Sequence, residues 1–247
     1  MKAVLVNHLL WILQVRHPER LHPFGDVIRK KRAILHLLVV MIWPFFAVSQ
    51  NNIKYKANYK DSLPTVTRPV NNRPGFDINL LDKINPDTPR SFIQNQISNS
   101  AYWLPAAVVV GELGYGFINN DALNKRYAVE TSLSVGIGQA LSIGLKHIFN
   151  RPRPFMTFPD RIHPVNYGMG PSFPSGHTTL AFSTATSLAL TRKQWTVTVP
   201  ITLWAGSVGY SRMYLGRHYP TDVLGGIATG IVGGIVGHWL TGRIYGD

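Results

Sequence analysis

Apolar residues in this 247-residue chain fall into blocks separated by short polar loops. The first block, residues 33–48, is interrupted mainly by His36 and follows the run Arg29-Lys30-Lys31-Arg32. Further blocks occupy residues 101–118, 127–149, 178–190 and 196–210, and a glycine-rich one occupies 223–240. All exceed strand length and none alternates with period two, so the pattern predicts helices. Several are short for a bilayer span, which needs about 20 residues. Small residues recur in the last block at Gly225, Gly226, Gly230, Gly233 and Gly234. Such residues let helix backbones approach closely inside a membrane. The fold expected is therefore all-α: a bundle of about five core helices, polytopic in a membrane, with an N-terminal signal or anchor helix.

Four cations directly ahead of an apolar run mark residues 1–49 as a leader. Ala47-Val48-Ser49 offers small residues at signal-peptidase spacing, so the leader reads as either a signal peptide or a signal anchor. Its apolar run starts late, which leaves open whether residues 1–28 belong to the protein proper. Residues 50–100 are polar and carry Pro64, Pro69, Pro74, Pro86 and Pro89, as an extracytoplasmic lead-in would. Within them Phe76, Ile78, Leu80, Leu81 and Ile84 suit a short amphipathic helix lying on a surface and a turn-rich linker equally well. Residues 101–247 form the third region.

Composition sharpens this picture. Charged residues are 15% of the chain, against about 25% in soluble domains. The net charge is nevertheless +13, from 25 Lys and Arg against 12 Asp and Glu. Such an excess implies an anionic partner. Nucleic acid is not expected, because the basic residues sit at the ends of apolar blocks and there is no Cys to build a zinc module. The missing Cys also excludes a disulfide scaffold. Threading the helices back and forth from a cytoplasmic leader places Lys125, Arg126, Arg192, Lys193 and Arg243 on the cytoplasmic side, as the positive-inside rule requires. Residues 150–173 and 211–222 then lie outside.

Those two outer segments, with the helix starts beside them, hold three clusters of chemically able residues. The first is Lys146 with Arg153-Pro154, with Arg151 between them. The second is Pro174-Ser175-Gly176-His177, and the third is Ser211-Arg212 with His218 and Asp222. Each alone has a plain structural explanation. Lys146 and Arg153 could snorkel at a helix end, Ser175 could cap the next helix, and His218 with Asp222 could be an ordinary i,i+4 pair. Together, eleven fixed residue types in fixed order arise by chance in fewer than about one chain in a million at average composition.

These clusters resemble the signature of the type 2 phosphatidic acid phosphatase family, within the acid phosphatase and vanadium haloperoxidase superfamily. Its three parts, Lys-x6-Arg-Pro, Pro-Ser-Gly-His and Ser-Arg-x5-His-x3-Asp, stand complete here from Lys146 to Asp222. The resemblance covers about residues 101–240, making 101–247 the expected phosphatase domain. It implies metal-independent hydrolysis of a phosphate ester, with no cofactor, through a phosphohistidine intermediate. Lys146, Arg153 and Arg212 are the expected clamp on the phosphate oxygens, the two arginines through their planar forks. Ser175 and the Gly176 N–H, at a helix N-terminus, would add donors. His218 is the expected nucleophile, Asp222 its orienting partner, and His177 the acid that protonates the leaving oxygen. Arg151 and Arg217, outside the signature, are candidate head-group contacts.

The reading is thus a lipid phosphatase, multi-pass in a bacterial inner membrane, with its site facing the periplasm or exterior. Phosphatidate, phosphatidylglycerophosphate, polyprenyl diphosphate and lipid A phosphates all remain open as substrates, as does the oligomeric state. A soluble periplasmic acid phosphatase is the alternative, favoured by the short helices and a mean hydropathy of +0.02. A vanadate-dependent haloperoxidase would use the same oxyanion pocket and is the remote one.

Overall fold

The structure, a computed structural model, describes residues 75–165 and 167–246, all within one compact unit. The leader, its cationic run and its cleavage site lie outside the described residues. Among those described, the protein is all helical: α1 Phe76–Ile84, α2 Ser91–Ile118, α3 Ala122–Phe149, the short turn α4 Pro154–Thr157, α5 Gly176–Arg192, α6 Trp195–Tyr214 and α7 Pro220–Tyr245. The five long helices are those predicted by the apolar blocks.

Their ends follow from local chemistry. Asp121 caps α3 by accepting from the Leu123 and Asn124 N–H groups. Asn150 ends that helix in the left-handed region at φ 39°, a conformation asparagine tolerates well. Pro220 opens α7 at its first turn, where a missing N–H costs nothing. The helices outrun their apolar blocks. α2 begins at Ser91, ten residues earlier than hydropathy suggests, and runs straight through residue 100. Its polar first turns are tolerated because they pack inward: Ser98 and Ser100 are buried, and Ser100 Oγ accepts from Trp204 Nε1 at 2.8 Å.

α7 packs along both α3 and α5. The contact with α3 is nearly backbone to backbone: a Cβ on Gly233 would fall 2.6 Å from the Gly138 Cα. The interior is built from small and hydroxyl residues, including Thr178, Thr179, Ser183, Thr184 and Ser187 on α5. Thr179 and Thr184 satisfy their hydroxyls by donating one helical turn back. Large apolar residues meanwhile face outward, among them Trp103, Val110, Leu203, Leu224, Ile235 and Trp239. Small polar groups inside and large apolar groups outside suit a lipid surround. α2 and α7 are each long and apolar enough to cross a bilayer.

Of the two readings for residues 76–84, the helix is the one that forms. Its apolar face, however, turns into the protein: Ile78 and Leu81 are buried with Phe155, Ile162 and Tyr219. Asn85 fastens its end, donating to the His163 and Tyr214 carbonyls and accepting from the His163 N–H at 2.7 Å. α1 thereby covers the loops that carry the motifs.

Candidate active site

All three motifs meet at one end of the bundle, where α3 and α6 finish and α5 and α7 begin. A tight turn delivers His218: Gly216 has φ +67°, and a Cβ there would press on Ile162 and the His163 carbonyl. His218 is 2% exposed. Its Nδ1 lies 3.5 Å from Asp222 Oδ2 and 3.5 Å from Ser172 Oγ, while its Nε2 lies 3.5 Å from Arg153 Nη1. The two ring nitrogens therefore meet opposite environments, a carboxylate on one side and a guanidinium on the other. Burial, then the charges of Arg153, Arg212 and Lys146, hold the His218 pKa well below the usual imidazole range.

Asp222 is fully buried and heavily partnered. It accepts from Ser172 Oγ, from the Tyr219 N–H at 2.9 Å and from Arg151 Nη1 at 2.8 Å. Ser172 sits beside both His218 and Asp222 and was not singled out by the sequence, since it stands just ahead of a motif with no pattern of its own.

The cations do two jobs. Lys146 Nζ donates to the carbonyls of Pro171 and Pro174 at 2.8 and 2.7 Å. Arg153 donates to the carbonyls of Met169, Gly170 and Arg217. Both residues thus fasten the loop ahead of α5 while placing positive charge beside His218. Arg212 Nη1 donates to Ser98 Oγ at 2.6 Å, but its Nε is buried with no hydrogen-bond partner. Arg217 Nε is in the same state. Such groups are uncommon, because an unmet buried donor costs about 1–3 kcal/mol.

Ser175 holds the N-cap position of α5 yet makes no side-chain cap. Its Oγ instead accepts from Thr178 Oγ1 at 2.8 Å, which leaves its own proton available. At Gly176 a Cβ would meet only Gln139 and Ser142, at 3.8–4.0 Å. Protein packing alone does not require glycine there. The His177 ring packs edge-on against Tyr102, centroids 4.5 Å apart, within electrostatic reach of Arg212, His218, Arg217 and Arg153. All eight signature residues expected at the site are therefore brought together. Arg151 differs from its expectation as a head-group contact: its guanidinium is engaged by Asp77 and Asp222 and stacks over Tyr219 at 3.8 Å.

Residues 127–245, which contain all three motifs, match the PAP2 superfamily. An undecaprenyl-diphosphatase of Sulfolobus acidocaldarius is 30% identical over 176 residues, covering 68% of this chain and 76% of that protein. The chain belongs to the PAP2 superfamily. A second PAP2 relative in sequence, the lipid A 1-phosphatase of Porphyromonas gingivalis, is 29% identical over 155 residues. That match covers 62% of this chain and 32% of the relative, so this chain spans about a third of its length. The crystal structure of Aquifex aeolicus LpxE aligns with a TM-score of 0.55 at 29% identity, covering 68% of this chain and 98% of that one.

Proposed function

We propose that this PAP2 protein is a lipid phosphatase acting on a membrane-borne phosphomonoester or diphosphate through a phosphohistidine at His218. The observation that carries the reading is the charge asymmetry about that buried ring. Arg153 lies on the Nε2 side, where a phosphate would be attacked, with Arg212 and Lys146 within electrostatic reach of the ring, and the carboxylate of Asp222 lies on the Nδ1 side. A cation cluster of this kind supplies what phosphoryl transfer needs, neutralisation of the equatorial oxygens.

The geometry supports the following steps. Neutral His218 directs the Nε2 lone pair at phosphorus, and the bond from phosphorus to the leaving oxygen breaks. His177 supplies the proton that the leaving oxygen takes up. Asp222 and Ser172 keep the remaining ring proton on Nδ1 and stabilise the positive charge that forms. Lys146, Arg153 and Arg212 hold the phosphate oxygens, with the Ser175 hydroxyl and the Gly176 N–H. The unpartnered Nε atoms of Arg212 and Arg217 are further donors that a phosphate would satisfy. Water, deprotonated by His177, then attacks the phosphohistidine and releases phosphate and free His218.

Lipid A phosphates and undecaprenyl diphosphate are the substrates we favour, since the relatives carry those names. The outward apolar surface supports a multi-pass position in the membrane. Lys125, Arg126, Arg192, Lys193 and Arg243 all lie toward the end of the bundle opposite the site, which supports a site facing the periplasm or exterior. The test is a rapid quench with phosphate-labelled lipid. Acid-labile, base-stable label is expected on His218, and His218→Ala should neither turn over nor trap label. Label on another residue, or an active His218→Ala enzyme, would overturn the assignment.

A further inference from the structure

The helix α1 lies outside the residues that match the PAP2 superfamily, yet it reaches the site through a single acidic side chain. Asp77 Oδ2 receives Arg151 Nη2 at 2.6 Å and Thr221 Oγ1 at 2.5 Å, and Asp77 Oδ1 receives the Thr221 N–H at 3.0 Å. The other end of the same guanidinium donates to Asp222 Oδ1 at 2.8 Å and to Thr221 Oγ1 at 2.7 Å. Its face rests on Tyr219. Asp77, Arg151, Asp222 and His218 thus form one chain of alternating charge, and every link but the last is a short ion pair.

The last link explains why the first matters. Asp222 has two oxygens: Oδ2 faces His218, while Oδ1 is held by a cation. An unopposed guanidinium at 2.8 Å would draw much of the carboxylate's field away from the imidazole. Asp77 opposes it from the far side. We infer that Asp77 is a positioning residue of the reaction, which offsets the charge of Arg151 so that the field of Asp222 acts on His218. The inference rests on the reading of His218 as nucleophile and Asp222 as its partner.

The groups that set the charge state of His218 come from every element around it. They are Lys146 of α3, Arg153 and Ser172 of the following loop, His177 of α5, Arg212 of α6 and Asp222 of α7. Against this fixed background the Asp77–Arg151 pair is a tunable contribution. Removing the acid exposes the cation and should push the His218 titration down. Removing the cation should push it up.

The experiment uses the full chain in detergent, with three variants: Asp77→Asn, Arg151→Gln and the double substitution. Asn at position 77 keeps the size and can still accept from the Thr221 N–H, so folding is preserved while the charge is lost. Turnover at saturating lipid phosphate is measured against pH, with the rate of phosphohistidine formation. Asp77→Asn should lower kcat about tenfold, the lower range for loss of an outer partner, leave KM near its original value, and move the acid limb to lower pH. Arg151→Gln should move that limb to higher pH, and the double variant should return it toward the parent. Asp77→Glu, which restores the charge, should restore the limb. Limbs that stay together in all variants, even with kcat or thermal stability reduced, would make α1 a purely structural strap and overturn the inference. Phosphate trapped somewhere other than His218 in the parent enzyme would overturn the reading beneath it, a result separate from any movement of the limb.

Discussion

The two ends of the bundle treat buried charge in opposite ways. At the end away from the motifs, acids and bases pair off. Arg192 Nη2 lies 3.0 Å from Glu112 Oε1 and 3.0 Å from Asn124 Oδ1, and Thr131 donates to the other oxygen of Glu112. Glu130, 1% exposed, meets His238 Nδ1 at 2.8 Å. At the motif end, Lys146, Arg153, Arg212 and Arg217 gather around His218 and His177. The buried carboxylate there, Asp222, is already shared with Arg151. A matched network needs nothing more and serves the fold. A cluster in which cations outnumber the buried carboxylate stores repulsion that an anion would relieve, which makes it the candidate place for an anion to bind. Charge alone does not reveal a site; imbalance does.

This contrast can be broken at either end. The largest effect is expected at Arg212. Arg212→Leu should reduce kcat/KM by roughly 10³-fold, as removal of a transition-state donor does, while the melting temperature stays level or rises because a repelling cation is gone. A melting temperature that collapses along with activity would place Arg212 in the fold rather than the clamp.

Gly176 probes the same end without touching charge. A Cβ there would make only ordinary contacts with Gln139 and Ser142, so Gly176→Ala should fold normally. The methyl group would occupy room the phosphate needs, and kcat/KM together with vanadate affinity should fall on the order of 10- to 100-fold. Unchanged vanadate affinity would show that the anion sits elsewhere.

At the paired end the expectation reverses. Arg192→Met leaves Glu112 buried without its cation. Breaking a buried pair costs about 3–5 kcal/mol, and because Arg192 is 29% exposed roughly 2 kcal/mol is expected, with kcat nearly unchanged. Glu112→Leu in the same chain should recover most of that loss. Thermal unfolding in detergent reads it, and a large fall in kcat from Arg192→Met would blur the division between the two ends.

The smallest effect is in pH. On the proposed mechanism the neutral form of His218 attacks, so activity would be present above its pKa and lost as pH falls through it. Burial and three cations depress that pKa. The acid limb of kcat/KM should accordingly lie below the ordinary imidazole value of about 6.5. A limb at or above that value would mean the cations do not act on the ring.

The sequence by itself determined the helical class and the five long helices, and it named the eight signature residues that the fold brings together. Apolar blocks longer than strands leave helices as the form that satisfies a backbone in lipid, and phosphate chemistry demands particular side chains at motif spacings. It did not determine where helices begin when polar turns face inward, as at Ser91, because hydropathy reads composition and not orientation. Nor did it show that α1 turns its apolar face onto Phe155 and Tyr219 rather than onto a surface. Ser172 and Asp77 were invisible for a related reason. Ser172 lies 50 residues from Asp222 along the chain, and Asp77 lies 74 from Arg151 and 144 from Thr221. Each is an ordinary polar residue until the fold sets it beside a partner. Arg151 likewise resembled its neighbour Arg153 in sequence; two carboxylates reaching it from opposite sides, one from α1 and one from α7, gave it a different task. Residue identity is a local property, but the field at a buried side chain sums over everything packed around it, and only tertiary structure supplies that sum.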